Sequence, residues 1–173
     1  MAAIINNTNV NYTLYYNLIN TLGGYCAEHP SIISVGNGDL ADFDERAFPA
    51  YPAVNINVVT TRFRETTTDY EMQIVIADKY KVKNNESDGR TNEIDVPYYG
   101  TDDKVDIWAN TLGITNDITA FIQRGIQGFD INSEINCQQF YQRFDNGLAG
   151  WTIGFILTTH NDKNRCLFEL YPN

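Results

Sequence analysis

Apolar residues fall at Leu14, Tyr15, Leu18, Ile19, Leu22, Tyr25 and Cys26, the spacing of a helix with one buried stripe. This predicts a first helix from about Thr13 to Glu28, with Thr13 as its N-cap and Pro30 as its stop. Gly23-Gly24 costs about 1 kcal/mol per glycine against alanine, which loosens the last turn. Ser31 to Val35 reads as a short strand, and Gly36-Asn37-Gly38-Asp39 as a turn. From Ala53 to Thr60, Val54, Ile56 and Val58 alternate with Asn55 and Asn57, a strand with one dry and one wet face. After the polar stretch Arg62 to Thr68, Tyr70, Met72, Ile74 and Ile76 alternate with Glu71, Gln73 and Val75, so the two runs pair as an antiparallel hairpin.

The second half repeats the theme. Thr101 is the expected N-cap of a second helix, with Asp102 and Asp103 in its first turn. Val105, Trp108, Leu112, Thr115, Ile118 and Ile122 are its expected buried face, and Gly125 its C′ residue. Glu134 to Phe144 carries Ile135, Cys137, Phe140 and Phe144, and Trp151 to Thr159 places Trp151, Ile153, Phe155 and Leu157 on one face, with Asp145-Asn146-Gly147 as the turn between. The apolar run Cys166 to Tyr171 suggests an edge strand. The order α-β-β-β-α-β-β is that of an α+β fold, two main helices packed on a mostly antiparallel sheet. Two stretches stand outside this pattern. Residues 1–11 are Asn-rich and read as an N-terminal arm, and 79–101 is an extended loop with no period, read as an inter-subunit arm.

Length and composition narrow the class. The chain has 173 residues, which suits one domain spanning 1–173. With 43% hydrophobic and 13% aromatic residues it has the composition of a folded protein. Its formal charge of −10 argues against a nucleic-acid binder held by phosphate contacts, which needs clustered Lys and Arg. No apolar run approaches the roughly 20 residues of a membrane span, and the N-terminus lacks the basic and apolar regions of a signal peptide. Three scattered cysteines, Cys26, Cys137 and Cys166, fit reduced thiols better than a disulfide framework.

Candidate chemistry is sparse. His29 and His160 have no Cys, Asp or Glu at metal-ligand spacing, so both read as structural or surface residues. No Gly-x-Ser-x-Gly elbow occurs, and Gly36-Asn37-Gly38 lacks the later glycine and lysine of a phosphate loop. No catalytic residue, cofactor or metal ligand is expected. The acidic series Asp39, Asp42, Asp44 and Glu45 lacks the EF-hand order of ligands and reads as a solvated loop or one meeting arginines of a neighbouring subunit. Arg46, Arg62, Arg64 and Arg143 are the candidate complementary partners. Tyr12, Tyr16, Tyr98 and Tyr99 flank the irregular segments, where interface tyrosines concentrate.

Several pieces in order carry a resemblance. Glu28-His29-Pro30 ends the first helix, and Gly38-Asp39-Leu40 is followed by Asp42, Asp44 and Phe48-Pro49. An Asn-bearing strand (Asn55, Asn57), Ile76-Ala77-Asp78 and a long helix come next. Last stands Cys137-x2-Phe140-x2-Arg143-Phe144-Asp145-Asn146, closing on Leu148-Ala149-Gly150-Trp151-Thr152. Over roughly residues 14–166 this is similar to the tail-terminator, tail-completion or neck proteins of tailed bacteriophages. The resemblance implies a non-enzymatic virion structural protein in the tail or neck region, assembled in the host cytoplasm. Its partners would be further copies of itself in a closed ring, hexameric by preference and dodecameric as the alternative, the tail tube, the connector or neck proteins, and DNA passing through the lumen without specific binding. Asp39, Asp42, Asp44, Arg46, Arg62, Arg64, Tyr98, Tyr99 and Arg143 are then the candidate subunit-interface residues. Competing readings are another head–tail connector ring and a non-enzymatic soluble binding module with a concave apolar pocket.

Overall fold

The alternation of Tyr70, Met72, Ile74 and Ile76 sets the register of one sheet. In a computed structural model, which describes residues 10–39, 50–79, 104–131, 134–141 and 147–160, these side chains face Leu157, Phe155, Ile153 and Trp151 of the neighbouring strand. They face Thr61, Val58, Ile56 and Val54 on the other side. The elements are α1 (Val10–Glu28), β1 (Ser34–Asn37), β2 (Ala53–Phe63), β3 (Thr67–Lys79), α2 (Lys104–Gln123), β4 (Asp130–Ile131), β5 (Asn136–Tyr141) and β6 (Leu148–His160). The strand order is β1-β2-β3-β6-β4, and β5 lies beside β4 on the same flank of β6. Every pairing is antiparallel except the parallel β1–β2 pair. This is the expected α+β class.

Both helices cover the same face. Leu18, Leu22 and Cys26 of α1 and Ile114, Ile118 and Ile122 of α2 form one buried cluster with Ile56, Ile74, Ile153 and their neighbours. The buried stripe of α2 departs from the expected one. Ile107, Thr111, Ile114, Thr115, Ile118 and Ile122 are buried, whereas Val105 and Leu112 are 57% and 45% exposed. Ile107, Thr111 and Ile114 take the place of Val105 and Leu112, and Thr111, like the expected Thr115, can be buried because it satisfies its hydroxyl inside the helix: Thr111 Oγ1 donates to the Ile107 carbonyl, and Thr115 Oγ1 to that of Thr111 at 2.7 Å. On the other face Val75, Ala77, Phe140 and Leu148 form a second, smaller cluster against Tyr51.

Several boundaries differ from those read in the sequence. Helix α1 starts at Val10, so Thr13 lies inside it and the expected arm loses Val10 and Asn11. Gly36 and Asn37 belong to β1, and the turn falls to Gly38, at φ 121°. Strands β2 and β3 extend into the polar stretch and leave a tight turn, in which the Arg64 N–H donates to the Thr67 carbonyl at 2.8 Å. Gly125 is the helix-ending residue expected, with φ 97° and its N–H on the Ile122 carbonyl at 3.0 Å. The two-residue β4 was not foreseen, and β5 covers only Asn136–Tyr141 of its expected range. Thr101, Phe144, Asp145, Asn146 and the run Cys166 to Tyr171 lie outside the described residues, as do 1–9 and 80–101.

Gly150 has a steric reason. A Cβ at this position would run into the Ile76 carbonyl oxygen and the Ala77 backbone. Its backbone is therefore free to approach β3 closely, next to Trp151, whose indole N–H donates to the Trp108 carbonyl at 3.0 Å. The Trp108 indole in turn donates to the Phe140 carbonyl at 3.3 Å, so the first turns of α2 are tied to β5 and β6. Gly150→Ala is expected to destabilise the fold by about 1–3 kcal/mol, the usual cost of overpacking. Urea unfolding checks this through a lower midpoint at an unchanged slope.

Candidate functional site

His29, Asp117, Arg62, Glu71, Arg64 and Asp69 pair with one another within the chain. His29 Nδ1 accepts from the Ser31 N–H at 3.2 Å, which leaves Nε2–H to donate to Asp117 Oδ2, also at 3.2 Å. One residue-turn away the Tyr25 ring stacks on Phe121 with centroids 4.0 Å apart, and its hydroxyl donates to the Asp117 carbonyl at 3.1 Å. These four side chains clasp α1 to α2. Asp117 is remote from His29 in sequence, so no spacing rule could have joined them. Among the described residues, no three His, Cys, Asp or Glu side chains gather as metal ligands would.

Arg62 and Arg64, two of the candidate interface residues, pair inside their own sheet. Arg62 meets Glu71 at 3.0 Å, and Arg64 Nε meets Asp69 Oδ2 at 2.7 Å. Both guanidinium side chains remain more than half exposed (59% and 66%), so each pair contributes only about 0–1 kcal/mol. Asp69 is the buried partner. Its other oxygen accepts from the Thr158 hydroxyl across the β3–β6 ladder at 2.7 Å. That hydrogen bond, with Arg64 adding to it, holds the Asp69 carboxyl below its ordinary value of 3.8 against the opposing effect of burial. Asp39 is exposed at the exit of β1. Asp42, Asp44, Arg46, Tyr98, Tyr99 and Arg143 lie outside the described residues.

The surface that stands out is one margin of the sheet. Among the described residues, the exposed large apolar side chains are Tyr15, Tyr16, Ile33, Val59, Phe63, Val105 and Leu112. The first five all sit on α1, at the entry to β1, or on β2. Tyr15 lies against Tyr70 with centroids 6.1 Å apart, and Tyr70 is the register partner of Thr61, which places these aromatics over the β2 end of the sheet. Two adjoining depressions run along this margin between α1 and β2 and share Ile19, Asn20, Asn37 and Ile56.

The backbone sets how far β1 covers this margin. Strand β1 pairs only with Ala53–Ile56, and the Gly38 N–H then donates to the Ile56 carbonyl at 3.1 Å. Asn55, expected on a wet face, is instead 2% exposed and donates its amide to the Gly38 carbonyl at 3.1 Å, so it fixes where β1 leaves the sheet. Among the described residues, no strand pairs with the outer side of β2 from Asn57 to Phe63. A register shift between Val58 and Thr60 leaves Val59 over as a bulge, and its side chain is 51% exposed. Sequence reading found none of Ile33, Val59 and Phe63 as surface features: Ile33 and Val59 fall within expected strands, and Phe63 within the polar stretch Arg62 to Thr68.

Comparison with known proteins gives no matching family model and no matching characterised relative.

The Asp69 environment carries a pH prediction. A carboxyl held below its unfolded value contributes stability above the ordinary carboxylate range and loses it as pH falls through the folded value. Asp69→Asn is expected to cost about 1–3 kcal/mol at neutral pH, the penalty of weakening buried charged hydrogen bonds. The gap from the parent protein should close on acidification. Thermal melts of both proteins across the acid range check this, and a gap independent of pH would refute it.

Proposed function

We propose that this chain is a non-enzymatic virion structural protein, the tail-terminator or neck ring subunit of a tailed bacteriophage. It caps the tail tube and joins it to the head-side connector. The observation that supports this most is the sheet margin bearing Tyr15, Tyr16, Ile33, Val59 and Phe63. Apolar side chains along a strand edge that has no partner among the described residues mark a surface made to be covered. The order of motifs from Glu28-His29-Pro30 to Gly150-Trp151-Thr152 suggests what covers it, namely further copies of the chain. A closed ring is built from heterologous contacts, in which one patch meets a different patch on the next subunit.

The charge suits the place. A subunit carrying a formal −10 would give the lumen a negative lining, which keeps DNA sliding rather than bound. The effect acts over about 8 Å at physiological salt. In this reading the ring forms at the end of the tube and meets the connector on its other face.

Electron cryomicroscopy and native mass measurement test the proposal directly. Purified protein, alone at high concentration or with tail tubes, is expected to give closed rings, hexameric by preference, seated at the tube end. Monomers throughout, with tubes that continue to grow in the presence of the protein, would refute it.

A further inference from the structure

We propose that residues 1–9 of one copy lie as an added strand along the outer edge of β2 in a neighbouring copy. The inference rests on the ring reading and names the contact that links one subunit to the next. Strand β1 covers the outer side of β2 only as far as Ile56, so over residues 57–63 that side has no strand beside it among the described residues. An edge of backbone donors and acceptors is completed most directly by an extended segment that adds its own main chain. An edge of that length spans about 23 Å. The segment ahead of Val10 reaches about 30 Å when extended, enough to cover the edge and leave about two residues to cross between copies.

The path of α1 brings this segment to the right end of the sheet. At mid-helix Ile19 borders Val35 and Ile56. One turn earlier Tyr15 lies against Tyr70, and Leu14 packs over Gly128, whose carbonyl accepts from the Thr159 hydroxyl at 2.8 Å. Thr159 stands opposite Thr68, and Thr68 opposite Phe63. Helix α1 therefore runs against β2, and its first residue, Val10, lies one turn beyond Leu14, at the Phe63 end. Continued beyond Val10, the helix axis leads off this end of the sheet, away from the copy's own β2 and toward a neighbour.

The two partners match in chemistry. Residues 1–9 carry no charged side chain, no proline and no glycine, and Ile4, Ile5 and Thr8 are β-branched. Residues 57–61 are likewise free of charge and proline, the devices by which monomeric proteins guard an edge. In a chain with a formal charge of −10, two copies repel over much of their surfaces. An uncharged segment on an uncharged edge avoids that repulsion. The exposed apolar side chains of the edge lie towards both faces. Val59 borders a depression on the helix-free face with Glu71, Gln73 and Gly154, whereas Phe63, opposite Thr68, shares the helix-covered side with Tyr70. Adjacent residues of a strand point to opposite faces, so Ile4 and Ile5 cover one side each. The segment differs from the edge it covers, so the contact is heterologous and repeats from copy to copy, as a closed ring requires.

Mixing two single-cysteine proteins tests the contact, in a background carrying Cys137→Ser and Cys166→Ser. Cys26 is buried with its thiol pushed up to about 12, which keeps it unreactive. One protein carries Ile4→Cys or Ile5→Cys, the other Val59→Cys, Thr61→Cys or Phe63→Cys. Mixed at high concentration or with tail tubes and oxidised with diamide, at least one pair is expected to give covalent heterodimers on non-reducing gels. Deleting residues 1–9 is expected to leave the melting temperature unchanged and to raise the concentration needed for half-assembly at least about tenfold. Full-size rings of the truncated protein at an unaltered concentration, with no cross-link in any mixed pair, would overturn this contact and leave the ring reading standing. A link that forms only within one chain, when both cysteines are placed in it, would also overturn the exchange between copies. Absence of rings in every condition would overturn both.

Discussion

The fold depends on the pairing of β3 with β6. These are the two central strands, and they run side by side from Thr67 opposite His160 to Lys79 opposite Leu148 without a register break. A shift of one residue would turn Met72, Ile74 and Ile76 away from the helices and bring Gln73 and Glu71 beneath them. The helix layer makes that slip prohibitive. Ile118 and Ile122 of α2 and Leu18 and Leu22 of α1 are fully buried on the same cluster as Ile74 and Ile153. At about 25 cal/mol per Å² of apolar surface removed from water, a handful of such side chains outweighs any local turn preference.

From this centre the polar details follow in order. Gly150 lacks a side chain because the Ile76 carbonyl occupies the space. Asp69 is buried at the far end of the same ladder, where Thr158 stands opposite to receive it. Both residues exist to satisfy a register already set by the apolar face. The same holds for Asn55, whose amide secures the Gly38 carbonyl at the point where β1 ends. Asp69 and Asn55, buried polar groups, secure the limits of the sheet.

What the centre does not satisfy is left at the margins. Strand β1 pairs only with Ala53–Ile56 of β2, and among the described residues no strand pairs with the outer side of β2 beyond them. Tyr15, Tyr16, Val59 and Phe63 are exposed along this side.

Much of the architecture was legible in the residues alone. Period-two alternation in 53–60 and 70–76 identified the hairpin, and that in 151–157 the remaining central strand, because a half-buried strand must alternate. The helical stripe of α1 was legible for the same reason at period 3.6. The stripe of α2 was only partly so: the sheet chose Thr111 over Leu112, since burial follows direction and a threonine can satisfy its own hydroxyl. The open margin was not legible at all. Val59 falls in an expected strand and Phe63 in the expected polar stretch, and neither shows by itself that β1 ends at Asn37 or that the register shifts after Val58. Local pattern determines which face of an element is dry, because that is a property of consecutive side chains. Which edge stays unpaired is a property of the whole sheet, and only the tertiary structure decided it.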